Sequence, residues 1–448
     1  MPLLTNEKPE NKYPSLNKII KRIKSSNIAS RLAKGAFWSL TGTALAKLIV
    51  LISGIICAHV LEQEAYGEFN MVRSTINLFV VFGNAGLGLT ATKYISEYKN
   101  KDKNHICSIY LLTNGFAVIT GVIVTFLILA FSNYLATETL KAPQLITPIR
   151  IGALLLFITV INGAQQGTLA GFEGFRSIAC NTFLGSVAES ILLLIGGYYW
   201  GVNGAVLGFG CGFMVLYICN HISIRKQFAK NRIQLSINNF KKDDLHLLYK
   251  FSLPAALSSI MVAPVFWAVR TMLVRHTNFS ELAIYEAADQ WKIIILFIPA
   301  ALSNVLLPIL SSISNRNENE KYWKTLKYNI YANVAISSCI ALFVCIASPY
   351  IMALYGKGFT DPWPLILLAI STIFTSISTV VGISISSRAK MWVGFLFNFI
   401  WGIMVILFSY IFLNMGLGAK AVGLSILISY FLHAICQFFY LYNSVRHS

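Results

Sequence analysis

Residues 36–59 read AFWSLTGTALAKLIVLISGIICAH, a run whose one formal charge is Lys47, near its middle. A helix of about 20 apolar residues crosses the roughly 30 Å hydrocarbon core of a bilayer, and this run is long enough. Eleven further stretches of the same kind follow, at about 70–92, 106–131, 146–170, 178–199, 204–224, 251–274, 282–310, 328–352, 363–387, 391–414 and 421–443. Twelve helices of about 20 residues use about 240 residues, over half of the 448. The second, fourth and eighth stretches are interrupted by charge. The chain is 56% hydrophobic and only 12% charged, where a soluble domain carries roughly 25% charge. This excludes a soluble enzyme, a disordered tail and a disulfide scaffold. The expected fold class is an all-α integral membrane protein with about twelve transmembrane helices.

The 36 Lys and Arg exceed the 18 Asp and Glu, for a net charge of +18. In a membrane chain this excess reports loop orientation rather than a nucleic-acid partner. With the N-terminus placed in the cytoplasm and the segments alternated, 27 basic residues fall on the cytoplasmic side and four (Lys141, Arg275, Lys357, Lys420) outside. One missed span would invert the pattern downstream of it, so both termini are expected in the cytoplasm. Residues 1–34 are polar and basic with no apolar core of a signal peptide, and 16–34 read as an interfacial helix or a basic tail. The longest connection, 225–250, is cytoplasmic and basic, which leaves no room outside for an enzyme domain. The eight cysteines lie mostly in apolar runs without a Cys-x-x-Cys pair, so they read as packed membrane residues.

A shift of 216 residues superimposes the chain on itself, with Glu64–Phe69 falling on Ser280–Tyr285. The expected division is a basic segment 1–34, a six-helix lobe 35–224, a linker 225–250 and a second six-helix lobe 251–445. Six spans per half keep both halves in one orientation, which predicts two bundles with a substrate site between them.

Charges inside the membrane cost at least about 2.5–3.5 kcal/mol each and need a reason. The cations are Lys47, Arg73, Arg150, Arg270 and Lys292; the acids are Glu189, Glu286 and Asp289. Four of the five cations lie on spans one, two, seven and eight. Lining a central cavity, they would suit an anionic substrate such as a pyrophosphate. Alternatives stay open: Arg73, Arg150 and Arg270 lie close enough to their span ends to snorkel, and Lys292 can pair with Asp289 one turn earlier. Arg73 and Asp289 occupy matching positions with opposite charge, and are expected to meet as an outer gate. Glu189 and Glu286 join Asp289 as gate or coupling candidates. Gly163, Gly167 and Gly171, and likewise Gly204, Gly208 and Gly212, form small-residue ridges for helix contact. Asn162, Gln165 and Gln166 are amides that either pack or bind sugar hydroxyls. The sequence has no phosphate loop, no His-Glu-x-x-His and no catalytic constellation. No metal, cofactor or enzyme activity is expected.

Several segments converge on one resemblance. Lys34–Ser39 and Ala58–Gly67 (AHVLEQEAYG), Phe82–Leu87 (FGNAGL), Thr168–Arg176 (TLAGFEGFR), Phe251–Pro254 and Leu306–Ser311 resemble landmarks of the Wzx-type polysaccharide-transport flippases. The likeness covers most of residues 31–445. It implies membership of the multidrug/oligosaccharidyl-lipid/polysaccharide exporter superfamily, with alternating access between two lobes. It further implies an undecaprenyl-pyrophosphate-linked oligosaccharide as substrate, moved from the inner to the outer leaflet of the bacterial cytoplasmic membrane for O-antigen or another surface polysaccharide. A polysaccharide polymerase and a chain-length regulator are the implied protein partners. The competing readings are a multidrug cation antiporter of the same superfamily and a membrane polysaccharide polymerase. The first would favour an anionic or aromatic cavity, and the second a sizeable external loop.

Overall fold

Backbone N–H and C=O groups find no water inside a bilayer, so long apolar runs must satisfy them within helices. The computed structural model agrees; it describes residues 27–84, 86–99, 101–236, 240–248, 252, 261–314, 319–388 and 390–446. Among them the regular elements are helical: α1 (Asn27–Asn84), α2 (Leu87–Tyr98), α3 (Lys103–Tyr134), α4 (Ile146–Gly171), α5 (Phe175–Asn231), α6 (Val262–His276), α7 (Phe279–Ile295), α8 (Phe297–Ser314), α9 (Asn319–Ala353), α10 (Trp363–Ser387), α11 (Met391–Asn414) and α12 (Ala419–Arg446). Residues 16–26 of the expected interfacial helix lie outside the described residues; 27–34 open α1.

Eight helices are long and apolar enough to cross a membrane. Two of them are too long for one crossing. α1 has 58 residues and leaves helical geometry at Glu62, with φ 65 and ψ 171. α5 has 57 and breaks at Trp200 and Gly201, the glycine taking the positive φ of 57 that side chains resist. Each therefore turns back and supplies two spans, so the eight helices account for ten crossings. The sequence expected for spans seven and eight is occupied by α6, described from Val262, and by α7–α8, whose apolarity is lowered by Glu281, Glu286, Asp289 and Lys292.

The turns recur at the interval expected from the sequence. The break at Glu62 and Asn278, which caps α7 through its side chain, are 216 positions apart. So are the break at Gly201 and Leu417, between α11 and α12. Close glycine contacts hold the first half together. A Cβ on Gly167 would lie 2.1 Å from the Gly88 carbonyl, and one on Gly204 would lie 2.0 Å from the Gly196 carbonyl. Both small-residue ridges are therefore backbone contact surfaces. In the first half α1 packs on α5 and α4; in the second α10 packs on α12 and α9. α1 also packs along α7, so residues from the two halves meet in the centre of the molecule.

Candidate functional site

A cavity of about 460 Å³ opens between α1, α5, α6 and α7. Lys47, Arg73, Arg270, Glu286 and Asp289 line it, together with the amides of Asn70, Asn77 and Gln290. Five of the eight charged candidates therefore share one space. The pitch of α1 explains part of this. Asn70, Arg73 and Asn77 follow one another at three- and four-residue steps, which places them on one helix face.

The charges inside are not all available. Arg270 donates through Nε to Glu286 Oε1 and through Nη2 to Asp289 Oδ2 at 3.3 Å, and Lys292 pairs with Asp289 Oδ1. Glu286, Asp289 and Lys292 are each only 8% exposed. A buried charge persists when it is paired, and two cations here offset two anions. Rings complete the cluster: Arg270 lies over Phe266 and Tyr285, and Lys292 over Phe266 at 4.8 Å. Lys292 thus takes the ion-pair alternative. The cavity is less cationic than five embedded cations imply, because the sequence does not reveal that Arg270 reaches acids 16 and 19 residues away across the α6–α7 turn.

Lys47 and Arg73 make no ion pair among the described residues. Arg73 lies over the Phe209 ring at 5.2 Å from its centroid. The expected Arg73–Asp289 gate is absent from this conformation: both residues line the cavity, but the Asp289 oxygens are held by Arg270 and Lys292. Arg150 lies outside the cavity. Its guanidinium donates to Ser132 Oγ at 3.0 Å and Asn133 Oδ1 at 3.2 Å, where it ties α4 to the end of α3. Arg150 is thus engaged with neighbouring polar groups of α3 rather than with the cavity lining. Glu189 faces a small space beside the cavity, shared with Arg73, Cys57, Tyr66 and Gln290. Asn162 is likewise structural. It donates to the Phe213 carbonyl and belongs to a buried amide ladder with Asn220 and Asn181 across α4 and α5.

At the Glu62 end the cavity is closed by residues that were not among the site candidates of the sequence. Tyr66, Tyr355 and Phe359 are buried and meet ring to ring, with centroids 5.5–6.5 Å apart. Gln290 donates to the Tyr66 hydroxyl at 2.6 Å and accepts from the Tyr355 hydroxyl at 3.2 Å. Further out, a ring nitrogen of His59 bonds the Leu354 carbonyl, and Gln63 donates to the carbonyls of Ser280 and Gly358. Beyond this plug lies a wider cleft of about 1380 Å³, lined by Glu62, Glu64, Glu68, Lys357 and Tyr355 among others. Neutral polar and aromatic residues carry no alarm in an apolar run, which is why charge alone missed them.

The charged cavity lies between helices of both halves of a multi-span helical bundle. The same fold occurs in the inward-facing conformation of a multidrug resistance MATE family transporter of the MOP superfamily, with a TM-score of 0.77 at 20% identity over 92% of this chain and 98% of that one. The profile of the family described as polysaccharide biosynthesis protein matches residues 32–314, and the chain belongs to that family. It is 23% identical over 393 residues to the EPS I polysaccharide export inner membrane protein EpsE of Ralstonia nicotianae, covering 85% of this chain and 87% of that protein. It is 24% identical over 327 residues to the lipid III flippase of Escherichia coli K12, covering 69% and 75%.

Proposed function

We propose that this protein is a flippase that moves an undecaprenyl-pyrophosphate-linked oligosaccharide from the inner to the outer leaflet of a bacterial cytoplasmic membrane. The observation that carries the reading is the pair Lys47 and Arg73, two cations with no ion pair among the described residues, on one wall of a central cavity that also offers the amides of Asn70, Asn77 and Gln290. Such a wall suits a diphosphate with sugars attached. The prenyl tail would stay in lipid. In the proposed orientation the Lys- and Arg-rich connections and both termini are cytoplasmic, and the Glu62 end with its aromatic plug faces outward. The cavity then receives its cargo from the inside. Rocking of one half against the other would open the plug, with Glu286 and Asp289 serving as counter-charges that hold Arg270 in place. Glu189, beside Arg73, is the candidate that senses its movement.

Transport of this kind needs no ATP. An inside-negative potential of 100 mV favours outward movement of a doubly charged anion by about 4–5 kcal/mol. In a multidrug exporter the cavity acids would be free for a cationic drug; here both cavity-lining acids are already paired.

The test uses purified protein in liposomes carrying a fluorescent undecaprenyl-pyrophosphate oligosaccharide, with lectin accessibility read over time. Protein-dependent redistribution, accelerated by the potential and slowed at least tenfold by Lys47→Ala, is expected. Efflux of a cationic dye without glycolipid movement would overturn the reading in favour of drug export.

A further inference from the structure

The second half carries a line of polar groups that the cavity does not use. Ser425, Ser429, His433 and Gln437 recur every fourth residue along α12, which places them on one face over about 18 Å. All four are buried, at 0%, 0%, 4% and 2% exposure. Ser425 donates to the Ala421 carbonyl. Ser429 Oγ, both ring nitrogens of His433 and Gln437 Oε1 have no hydrogen-bond partner among the described residues. On the helices packed against α12, Ser378 of α10 and Ser409 and Trp401 of α11 also bury unpartnered donors or acceptors.

This pattern is not ordinary helix association. Polar residues that glue membrane helices together do so by bonding across the interface, as Asn162, Asn181 and Asn220 do in the first half. Leaving such a group buried without a partner is costly, and an ionisable residue within a span points to function. His433 is also surrounded by rings. Phe397, Trp401 and Tyr430 lie with centroids 6.2, 6.5 and 6.4 Å from it.

We propose that His433 is a proton-binding station within the second half and that its protonation is coupled to transport. The neutral imidazole takes one proton from water at a ring nitrogen and returns it to water on the opposite side. On uptake an O–H bond of hydronium breaks as an N–H bond forms, and on release the N–H bond breaks as the O–H bond re-forms. Ser429 and Gln437, one helical turn to either side, are its buried polar neighbours on the same face. The link to the cavity is a chain of contacts. Trp401 meets Phe266 at 5.8 Å, and Phe266 lies under both Arg270 and Lys292. The imidazolium would therefore press on the same ring that seats the cavity's charge cluster.

The charged and titratable groups on the helices packed against α12 are Arg270, Arg275 and His276 of α6, Glu281, Tyr285, Glu286, Asp289 and Lys292 of α7, and Tyr410 of α11; Lys420, Tyr430, Cys436, Tyr440, Tyr442 and Arg446 share α12 itself. α10 brings none between Trp363 and Ser387. Arg270, Glu286, Asp289 and Lys292 are paired with one another, whereas His433 is buried with both ring nitrogens unpartnered among the described residues.

Trp401 serves as a built-in reporter, because an imidazolium beside an indole quenches its emission. The Trp401 signal of the purified full chain, taken as the difference from Trp401→Phe, is expected to fall as the pH is lowered from 8 to 4. In His433→Leu it should stay flat. In liposomes a pH gradient should change the wild-type transport rate several-fold, and His433→Gln should transport at symmetrical pH without responding to the gradient. That second arm rests on the flippase reading. If wild type moves no glycolipid at any pH, that reading falls and the Trp401 titration alone decides whether His433 binds a proton. Emission that follows pH identically in wild type and His433→Leu, or a gradient response retained in His433→Gln, overturns the proposal.

Discussion

Gln290 reaches from the cavity wall to the Tyr66 hydroxyl, 2.6 Å away, and so joins the space that would hold cargo to the plug that closes it. The same amide accepts from Tyr355. A cargo that competes for Gln290 must release one or both tyrosines. Removing the amide should do the same without cargo. A buried tyrosine hydroxyl stripped of its partner costs about 1–3 kcal/mol, a shift of roughly 5- to 150-fold in the closed-to-open ratio. Cys57 reports it, because it is 1% exposed and shares a small space with Tyr66 and Gln290. In Gln290→Ala, a membrane-impermeant maleimide added at the Glu62 end should label Cys57 at least fivefold faster than in wild type, with Cys57→Ser as the blank. Unchanged labelling would detach Gln290 from the plug.

The Arg270 cluster calls for a different signature. Glu286 and Asp289 share Arg270, and losing it leaves one acid without its cation in a buried site. Breaking a buried pair on one side costs about 3–5 kcal/mol, whereas replacing both partners is far milder. Arg270→Met should therefore lower the thermal midpoint strongly, and adding Glu286→Gln should recover part of the loss. Lys47→Ala, with no pair to break, should leave the midpoint within about 0.5 kcal/mol of wild type while slowing transport. Equal destabilisation by both single substitutions would refute the division between paired and free cations.

The fold was legible because apolar length and loop charge are local signals. The run 36–59 announces a span by composition alone, and the 216-residue interval carried that reading through to Asn278 and Leu417. The site was legible only as a set of charges. Arg150 looked like Arg73 because a sequence does not reveal which helix face turns inward; only the folded chain gives it Ser132 and Asn133 at the end of α3 as partners, outside the cavity lining. Asn162 could have bound sugar until its bond to the Phe213 carbonyl placed it between helices. Gln290 and His433 are neutral by formal count and drew no site assignment, and Tyr66 entered only within a family landmark and the repeat match. What distinguishes them is burial and partnership, which exist only after folding.

Asp102 provides a prediction outside the membrane. It caps α3, accepting from the amides of Asn104 and His105, and Lys241 of the connection between the halves donates to it at 3.2 Å. The His105 amide above all, with Lys241 and the Asn104 amide, holds its carboxyl below the usual carboxylate range. A depressed folded value means that the stabilisation is present above the unfolded pKa and is lost as the pH falls through the folded one. Asp102→Ala should cost about 1 kcal/mol at pH 7, and the gap to wild type should close as thermal unfolding is followed down to pH 3. A gap that stays constant with pH would mean that the charge contributes nothing.

Glu62 holds the backbone of the first hairpin at φ 65 and ψ 171. That region is occupied almost solely by glycine, and a side chain there costs about 1–3 kcal/mol. The contacts around it hold the strained turn in place: on one side His59 bonds the Leu354 carbonyl, and on the other Gln63 bonds the carbonyls of Ser280 and Gly358. A strained turn held by cross-contacts favours whichever state relaxes it, so Glu62 works against the closed plug. Glu62→Gly removes the penalty without touching the contacts. It should raise the thermal midpoint and slow Cys57 labelling from the Glu62 end, whereas Gln63→Ala should speed that labelling. If Glu62→Gly lowers stability or speeds labelling, the turn is not a source of opening strain.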